Sequence, residues 1–132
     1  MLEIASTRTT ARPAANPRAR VLTQALAETA RRLDLGSTDL RHIIGTSQPS
    51  ASRLLNGKYT LREGSKEWEL STHLVRLYRS LSSLVGGNDE LAREWLRSDN
   101  RALADETPLK AIRRVEGLLH ACEYLDAHRA RV

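Results

Sequence analysis

Apolar residues recur at spacings of three and four along most of the chain, which is the period of a helix face. The first stripe consists of Leu22, Leu26, Ala30 and Leu33. It predicts a helix from Arg18 to Leu33, with Gly36 in the left-handed position that ends it and Ser37 as the cap of the next helix. No segment shows the strict alternation of a half-buried strand, so the sequence predicts an all-α fold.

The segment from Ser37 to Lys58 contains two short helices joined by a tight turn. Gly45 closes the second predicted helix, and either Thr46 or Ser47 caps the third. The third helix is expected to end at Asn56-Gly57. Two short helices with such a turn between them predict a helix-turn-helix.

The longest predicted helix spans Glu67–Val85 and carries leucines at alternating spacings of four and three. This coiled-coil-like seam covers about two heptads. It fits packing within the chain, and it also fits a dimer, because helix-turn-helix proteins usually read two half-sites as dimers. The dimer interpretation assigns the contact to Leu70, Leu74, Leu77 and Leu81.

Two further helices are predicted towards the C-terminus. Gly86-Gly87 ends the long helix, a fifth helix runs from Asn88 to about Ser98, and a sixth begins at Pro108. The apolar face of the sixth is expected to be Leu109, Ile112, Val115, Leu119, Cys122 and Leu125. Gly117 lies inside this helix, where glycine costs about 1 kcal/mol relative to alanine, so we expect close approach by another backbone, either the fifth helix or a bound partner.

Charge is distributed unevenly along the chain. Residues 1–66 hold 11 Lys and Arg against 5 Asp and Glu, whereas residues 67–132 hold 10 against 11. A basic excess confined to the half with the helix-turn-helix favours double-stranded DNA as a partner, because Lys and Arg displace counterions from the phosphate backbone. The interpretation divides the chain into a flexible arm (1–17), a DNA-binding domain (18–66), a connecting or dimerisation helix (67–85) and a C-terminal domain (86–132).

The third helix has the side chains that a recognition helix needs. Small polar residues let the backbone approach the bases, and Gln48 at its start can pair with adenine through two hydrogen bonds. Arg53 can reach guanine or a phosphate, and the N-terminus of the second helix offers N–H groups to another phosphate. The predicted DNA-binding residues are Ser37, Ser47, Gln48, Ser50, Ser52, Arg53, Asn56, Lys58 and Tyr59.

Other functional classes find little support in the residues. His120 and Cys122 are too close in sequence to form a convincing pair of ligands on one helix face, and no second cluster completes a metal site. Glu94 and Asp99 could be read as paired carboxylates, but they lie among residues typical of a surface. The sequence also contains no phosphate-binding loop. The sequence therefore predicts neither an enzyme nor a cofactor. The absence of a long apolar run and of a signal sequence predicts a cytoplasmic protein that does not insert in a membrane.

Residues 37–57 resemble the Xre or phage-repressor type of helix-turn-helix, through Leu40, Ile44, Gly45, Ser47, Gln48, Ser52, Leu55, Asn56 and Gly57. The last 50 or so residues resemble the toxin-binding domain of the Xre/MbcA/ParS antitoxins, through Gly86-Gly87, Ala92, Trp95-Leu96, Asn100, Leu103, Thr107-Pro108-Leu109, Gly117 and Leu125. The first resemblance implies a helical bundle with the third helix in the major groove. The second implies a small helical domain after it.

Together the resemblances imply a type II antitoxin. Its partner would be a RES-domain toxin that consumes NAD, and the antitoxin would cover the toxin's active site with its C-terminal region and bind the promoter of its own operon, as a homodimer within the complex. The residues assigned to the toxin are Trp95, Asn100, Leu103, Pro108, Gly117, Tyr124, Arg129 and Arg131. For Trp95 a place in the core is the other interpretation, and for Arg129 and Arg131 a solvated tail. The alternative function is a stand-alone transcriptional regulator whose C-terminal half dimerises or senses a ligand.

Overall fold

The structure, a computed structural model, describes residues 16–130. Within that range the regular structure is helical, which confirms the all-α prediction. The elements are α1 (Pro17–Arg32), α2 (Ser37–Ile44), α3 (Gln48–Leu55), α4 (Lys66–Leu84), α5 (Asp89–Leu96), a 3₁₀ turn (Arg101–Leu103), α6 (Pro108–Ala111) and α7 (Val115–Arg129). Residues 1–15 of the predicted arm, and Arg131, lie outside the described residues.

The long helix α4 lies in the centre of the molecule and packs against α1, α2 and α7. One continuous cluster of buried side chains extends from Leu26 on α1 to Leu125 on α7. The four leucines assigned to a dimer seam belong to this cluster: Leu70, Leu74, Leu77 and Leu81 are 6%, 0%, 0% and 1% exposed. The seam prediction is therefore wrong for these residues, because their side chains are already covered by other helices of the same chain.

The connection between α1 and α2 differs from the prediction by two residues. Asp34, and not Gly36, adopts the left-handed conformation, with φ of 57°. This turn lets the Leu35 N–H donate to the Ala30 carbonyl at 2.7 Å and brings the Leu35 side chain into the core. Gly36 is the cap of α2 and Ser37 its first residue, and the Gly36 N–H donates to the Asp39 carboxylate at 3.3 Å.

In the structure, two separate helices replace the sixth predicted helix. α6 ends at Ala111, and α7 begins at Val115 after a short break. The break changes the direction of the apolar face, so Val115 and Leu119 are 53% and 38% exposed, whereas Leu118 and Ala121 are buried in their place. The predicted positions Ile112, Cys122 and Leu125 are buried as expected.

Gly117 allows α7 to start in close contact with the end of α6. A Cβ at Gly117 would lie 1.9 Å from the carbonyl oxygen of Ala111. Close approach by another backbone is therefore present, but it comes from α6 and not from the fifth helix or a partner. Only glycine lets α6 and α7 meet at this distance, since any other side chain would overlap the carbonyl.

Candidate DNA-binding and toxin-binding surfaces

The helices α2 and α3 form the expected helix-turn-helix, joined at Gly45. Gly45 has φ of 72°, a conformation that glycine adopts without steric cost. The Ser47 hydroxyl caps α3 by accepting from the Ser50 N–H at 3.2 Å. Ala51 and Leu54 are buried, so α3 packs on the core along one side and leaves the opposite side in solvent.

Gln48 lies on the exposed side at the start of α3. Its amide nitrogen donates to the Ser37 hydroxyl at 2.6 Å, which ties the first turn of α3 to the first turn of α2. This hydrogen bond uses the amide nitrogen and orients the whole amide group. A side chain at the first turn of an exposed helix, held in one orientation, suits a contact with a base edge.

Most of the other residues assigned to DNA lie near Gln48, on α3 and in the turn after it. Ser47, Ser52, Arg53, Asn56 and Lys58 are exposed, and Ser50 is half-buried. The Arg53 guanidinium donates weakly to the Ser50 hydroxyl at 3.4 Å. These residues line one side of α3 and the turn after it, so the structure brings together a short polar and basic surface.

Tyr59 and the N-terminus of α2 are less available for contacts with DNA phosphates than the sequence suggests. The Tyr59 ring packs against the core, its hydroxyl donates to the Glu67 carboxylate at 2.8 Å, and burial together with Glu67 raises the pKa of the phenol. At the start of α2, Asp39 already supplies a carboxylate, which pairs with Arg113 at 3.3 Å. A phosphate at either place would have to compete with an existing carboxylate.

The residues assigned to a toxin are mostly structural. Leu103, Pro108 and Gly117 are buried, so these three assignments are wrong: their side chains or backbone support the fold and do not reach a partner. Asn100 shapes the turn after α5, where its side chain accepts from the Ala102 N–H at 2.9 Å.

Besides the half-buried Asn100, three of the assigned residues reach the surface at least in part. Trp95 and Tyr124 are half-buried and stack on each other, with ring centroids 6.5 Å apart. Arg129 is exposed near the end of α7, and its guanidinium donates to the Ser80 hydroxyl at 3.1 Å.

The two residues considered as a ligand pair, His120 and Cys122, do not come together in the described part of the chain. Cys122 is buried and His120 exposed, so the two do not share a surface. Burial raises the pKa of the Cys122 thiol to about 11, which keeps it protonated and a poor nucleophile at neutral pH. In the same range, no three His, Cys, Asp or Glu side chains lie close enough together to hold a metal ion.

Comparison with known protein families assigns both halves of the chain. Residues 17–77 match the model of the antitoxin Xre-like helix-turn-helix domain. Residues 80–131 match the model of the antitoxin Xre/MbcA/ParS C-terminal toxin-binding domain. The chain belongs to this antitoxin family. No curated protein matches the antitoxin at a significant level.

The two matched regions of the antitoxin meet inside α4, between residues 77 and 80. They are also joined by polar contacts between α5 and the end of α1. Arg97 donates to the Leu33 and Asp34 carbonyls at 3.1 and 2.8 Å, and Arg93 donates to the Arg32 carbonyl at 2.9 Å. These arginines satisfy the last carbonyls of α1, as cationic side chains at a helix C-terminus do.

Within the described part of the antitoxin, none of the helices combines the length and apolar character needed to cross a membrane. Four large apolar side chains are nevertheless exposed: Val21, Leu91, Val115 and Leu119. The last three lie in the region that matches the toxin-binding domain. The exposure of Val115 and Leu119 could not be read from their spacing, because one uninterrupted helix would have turned them inward.

Proposed function

We propose that this antitoxin neutralises a RES-domain toxin that consumes NAD, by covering the toxin's active site with its C-terminal region. In the same proposal, α3 binds the promoter of the antitoxin's own operon, and a homodimer acts within the toxin-antitoxin complex in the cytoplasm. The chain itself has no catalytic role. One observation carries the proposal: an exposed recognition helix and a helix that is apolar on two sides occur in one folded chain, each inside the corresponding family match.

The DNA-binding part rests on the orientation of α3. Its apolar residues face the core, and Gln48, Ser52 and Arg53 face solvent. The amide of Gln48 is held by Ser37, so it is oriented before DNA arrives. Arg53 and Lys58, on α3 and in the turn after it, supply the positive charge that phosphate contacts require.

The toxin-binding part rests on α7. This helix buries Leu118, Ala121 and Leu125 in the core, while Val115 and Leu119 lie one turn apart on the exposed side. A helix with apolar residues on both sides is usually buried on both sides in its working state. We therefore place the main toxin contact at Val115 and Leu119, with the exposed Arg129 at the other end of the helix reaching towards an anionic cofactor.

Co-expression with a RES-domain toxin encoded beside the antitoxin gene tests the proposal. We expect the antitoxin to restore growth and cellular NAD, and Val115→Glu to abolish the rescue because it places a charge in an apolar contact. Gln48→Ala should restore growth like the unmodified chain. In a gel-shift assay with the operon promoter, Val115→Glu should bind like the unmodified chain, and Gln48→Ala should lose specificity for the promoter.

Two outcomes would contradict the proposal. Full rescue by Val115→Glu, with the variant folded by circular dichroism, would remove α7 from the toxin contact. Promoter binding without any rescue of growth would instead favour a stand-alone transcriptional regulator.

A further inference from the structure

An open groove of about 640 Å³ runs between α1, α4 and the end of α7. Its floor is apolar: Val21, Leu22 and Ala25 come from α1, and Trp68 and Val75 from α4. Val21 is 66% exposed, the largest exposure among the large apolar side chains of the described residues. Because the floor includes an apolar side chain this exposed, residues 16–130 leave the groove open to solvent.

The rim of the groove is positively charged. Arg18, Arg76, Arg79 and Arg129 line it, and none of the described lining residues is acidic. Arg18 lies 3.4 Å from Glu63 and Arg76 pairs with Asp126, but these carboxylates belong to neighbouring surfaces. Four guanidinium groups around an apolar floor favour an occupant with apolar side chains flanked by negative charge.

Among the residues placed on the two surfaces already described, the groove shares only Arg129. None of its lining residues lies on α2 or α3, and Val115 and Leu119 are not among them. The lining residues come from both family matches, because Val21 and Trp68 lie in the helix-turn-helix match and Arg129 in the toxin-binding match.

We propose that this groove binds an amphipathic helical segment of a partner protein, with apolar side chains on the floor and Asp or Glu beside the arginines. Helix-in-groove binding of this kind needs an apolar strip between two helices, which α1 and α4 provide. A second copy that presents the same groove across a two-fold axis is disfavoured, since it would bring the two sets of four arginines close together. A small ligand is disfavoured because an open groove would leave much of it in water.

The proposal does not depend on the identity of the toxin, and a defined peptide tests it. The probe is an 18-residue helical peptide with leucines along one face and glutamates on its flanks, labelled for fluorescence anisotropy. One control peptide carries lysine in place of each glutamate, and another has the same composition in scrambled order. We expect the full chain to bind the glutamate peptide at least about tenfold more tightly than either control, and more weakly as salt is added.

Matched variants locate the binding site. Val21→Glu places a charge on the groove floor and should weaken binding at least about tenfold. Leu91→Glu makes a comparable change at an exposed apolar residue outside the groove and should leave binding unchanged. Arg79→Glu should reduce the preference for the glutamate peptide over the lysine peptide. Circular dichroism confirms that each variant is folded.

The remaining outcomes overturn the proposal. Equal binding of glutamate and scrambled peptides, or normal binding by folded Val21→Glu, would show that the groove is not the site. A dimer in analytical ultracentrifugation that Val21→Glu dissociates would make a second copy the occupant. Peptide binding that appears only after deletion of residues 1–15 would make the chain's own N-terminal segment the occupant.

Discussion

Gln48 shows how much of the proposed DNA-binding surface depends on single residues. Its place at the start of an exposed helix was predicted from the capping serine and the turn before it, which are local signals. Its hydrogen bond to Ser37, 11 positions earlier, was not predicted, because that contact depends on how α2 and α3 cross. Local chemistry thus indicated which residue lies exposed at the start of α3, and tertiary packing determines how its amide is oriented.

Replacing Gln48 with alanine should reduce discrimination at one base pair by about 1–3 kcal/mol, because the amide would pair with a base edge. Lys58→Ala is the matched control. It should weaken binding to all sequences alike and make the salt dependence less steep, since a phosphate contact carries no sequence information. Titrations of operator and random DNA at several salt concentrations measure both effects. Equal losses on the two DNAs for Gln48→Ala would exclude base reading.

Gly117 should tolerate no side chain. Glycine to alanine in a helix interior normally stabilises by about 1 kcal/mol, but here the added Cβ would meet the Ala111 carbonyl at 1.9 Å. We expect Gly117→Ala to lower the free energy of unfolding in urea by about 1–3 kcal/mol, as overpacking does. Glu123→Ala, exposed on the same helix, should change it by less than about 0.5 kcal/mol. A stabilised Gly117→Ala would mean that α6 and α7 separate easily.

At the scale of elements, the five helices before the 3₁₀ turn were predicted to within about three residues at each end. Four of them start at a polar cap and α2 starts at Gly36, and their apolar stripes have one consistent direction. The prediction of one last helix was wrong because the apolar positions from Leu109 to Leu125 keep helical spacing across the break at residues 112–114. Neither glycine nor proline marks that break. The contact between Gly117 and Ala111 accompanies it, and periodicity does not report such a contact.

Asp126 is the main polar link between α4 and α7. Its carboxylate accepts from the Ser80 hydroxyl at 2.7 Å and pairs with Arg76. The Ser80 hydrogen bond, together with Arg76 and Arg129, holds the pKa of this carboxyl below its usual range. A lowered carboxyl pKa contributes stability above the unfolded-state pKa, and this contribution is lost as the pH falls through the folded-state pKa.

Asp126→Asn should therefore destabilise the antitoxin by about 1 kcal/mol at pH 7, with the partial exposure of the pair keeping the effect small. The difference between the two proteins should shrink as the pH falls through the acidic range in which carboxyl groups titrate. Urea unfolding at a series of pH values measures it. Glu90→Gln removes a charge from an exposed residue of α5 and should show no such trend. A difference that stays constant with pH would assign the effect of Asp126→Asn to packing alone.

At the scale of the whole molecule, the two family matches correspond to one folded unit. The boundary between them falls inside α4, and the leucines of α4 pack on helices from both sides. The sequence suggested a connecting helix between two domains, because a linear pattern shows where apolar residues recur and not which helices cover them. Burial of Leu77 and Leu81 at 0% and 1% shows that this helix belongs to the core.

The antitoxin should therefore unfold in a single cooperative transition, with the same midpoint by far-ultraviolet circular dichroism and by tryptophan fluorescence. Trp68 reports on α4 and Trp95 on α5, so the fluorescence covers both matched regions. A fragment that ends at Val85 should be largely unfolded, because removing α7 exposes leucines whose burial stabilises by about 1.5–3 kcal/mol each. Two separate transitions, or a fragment that unfolds as sharply as the full chain, would show that the halves fold independently. If the transition is single, a toxin bound on α7 stabilises the same folded state that presents α3 to DNA, since a ligand of the native state stabilises all parts that unfold with it.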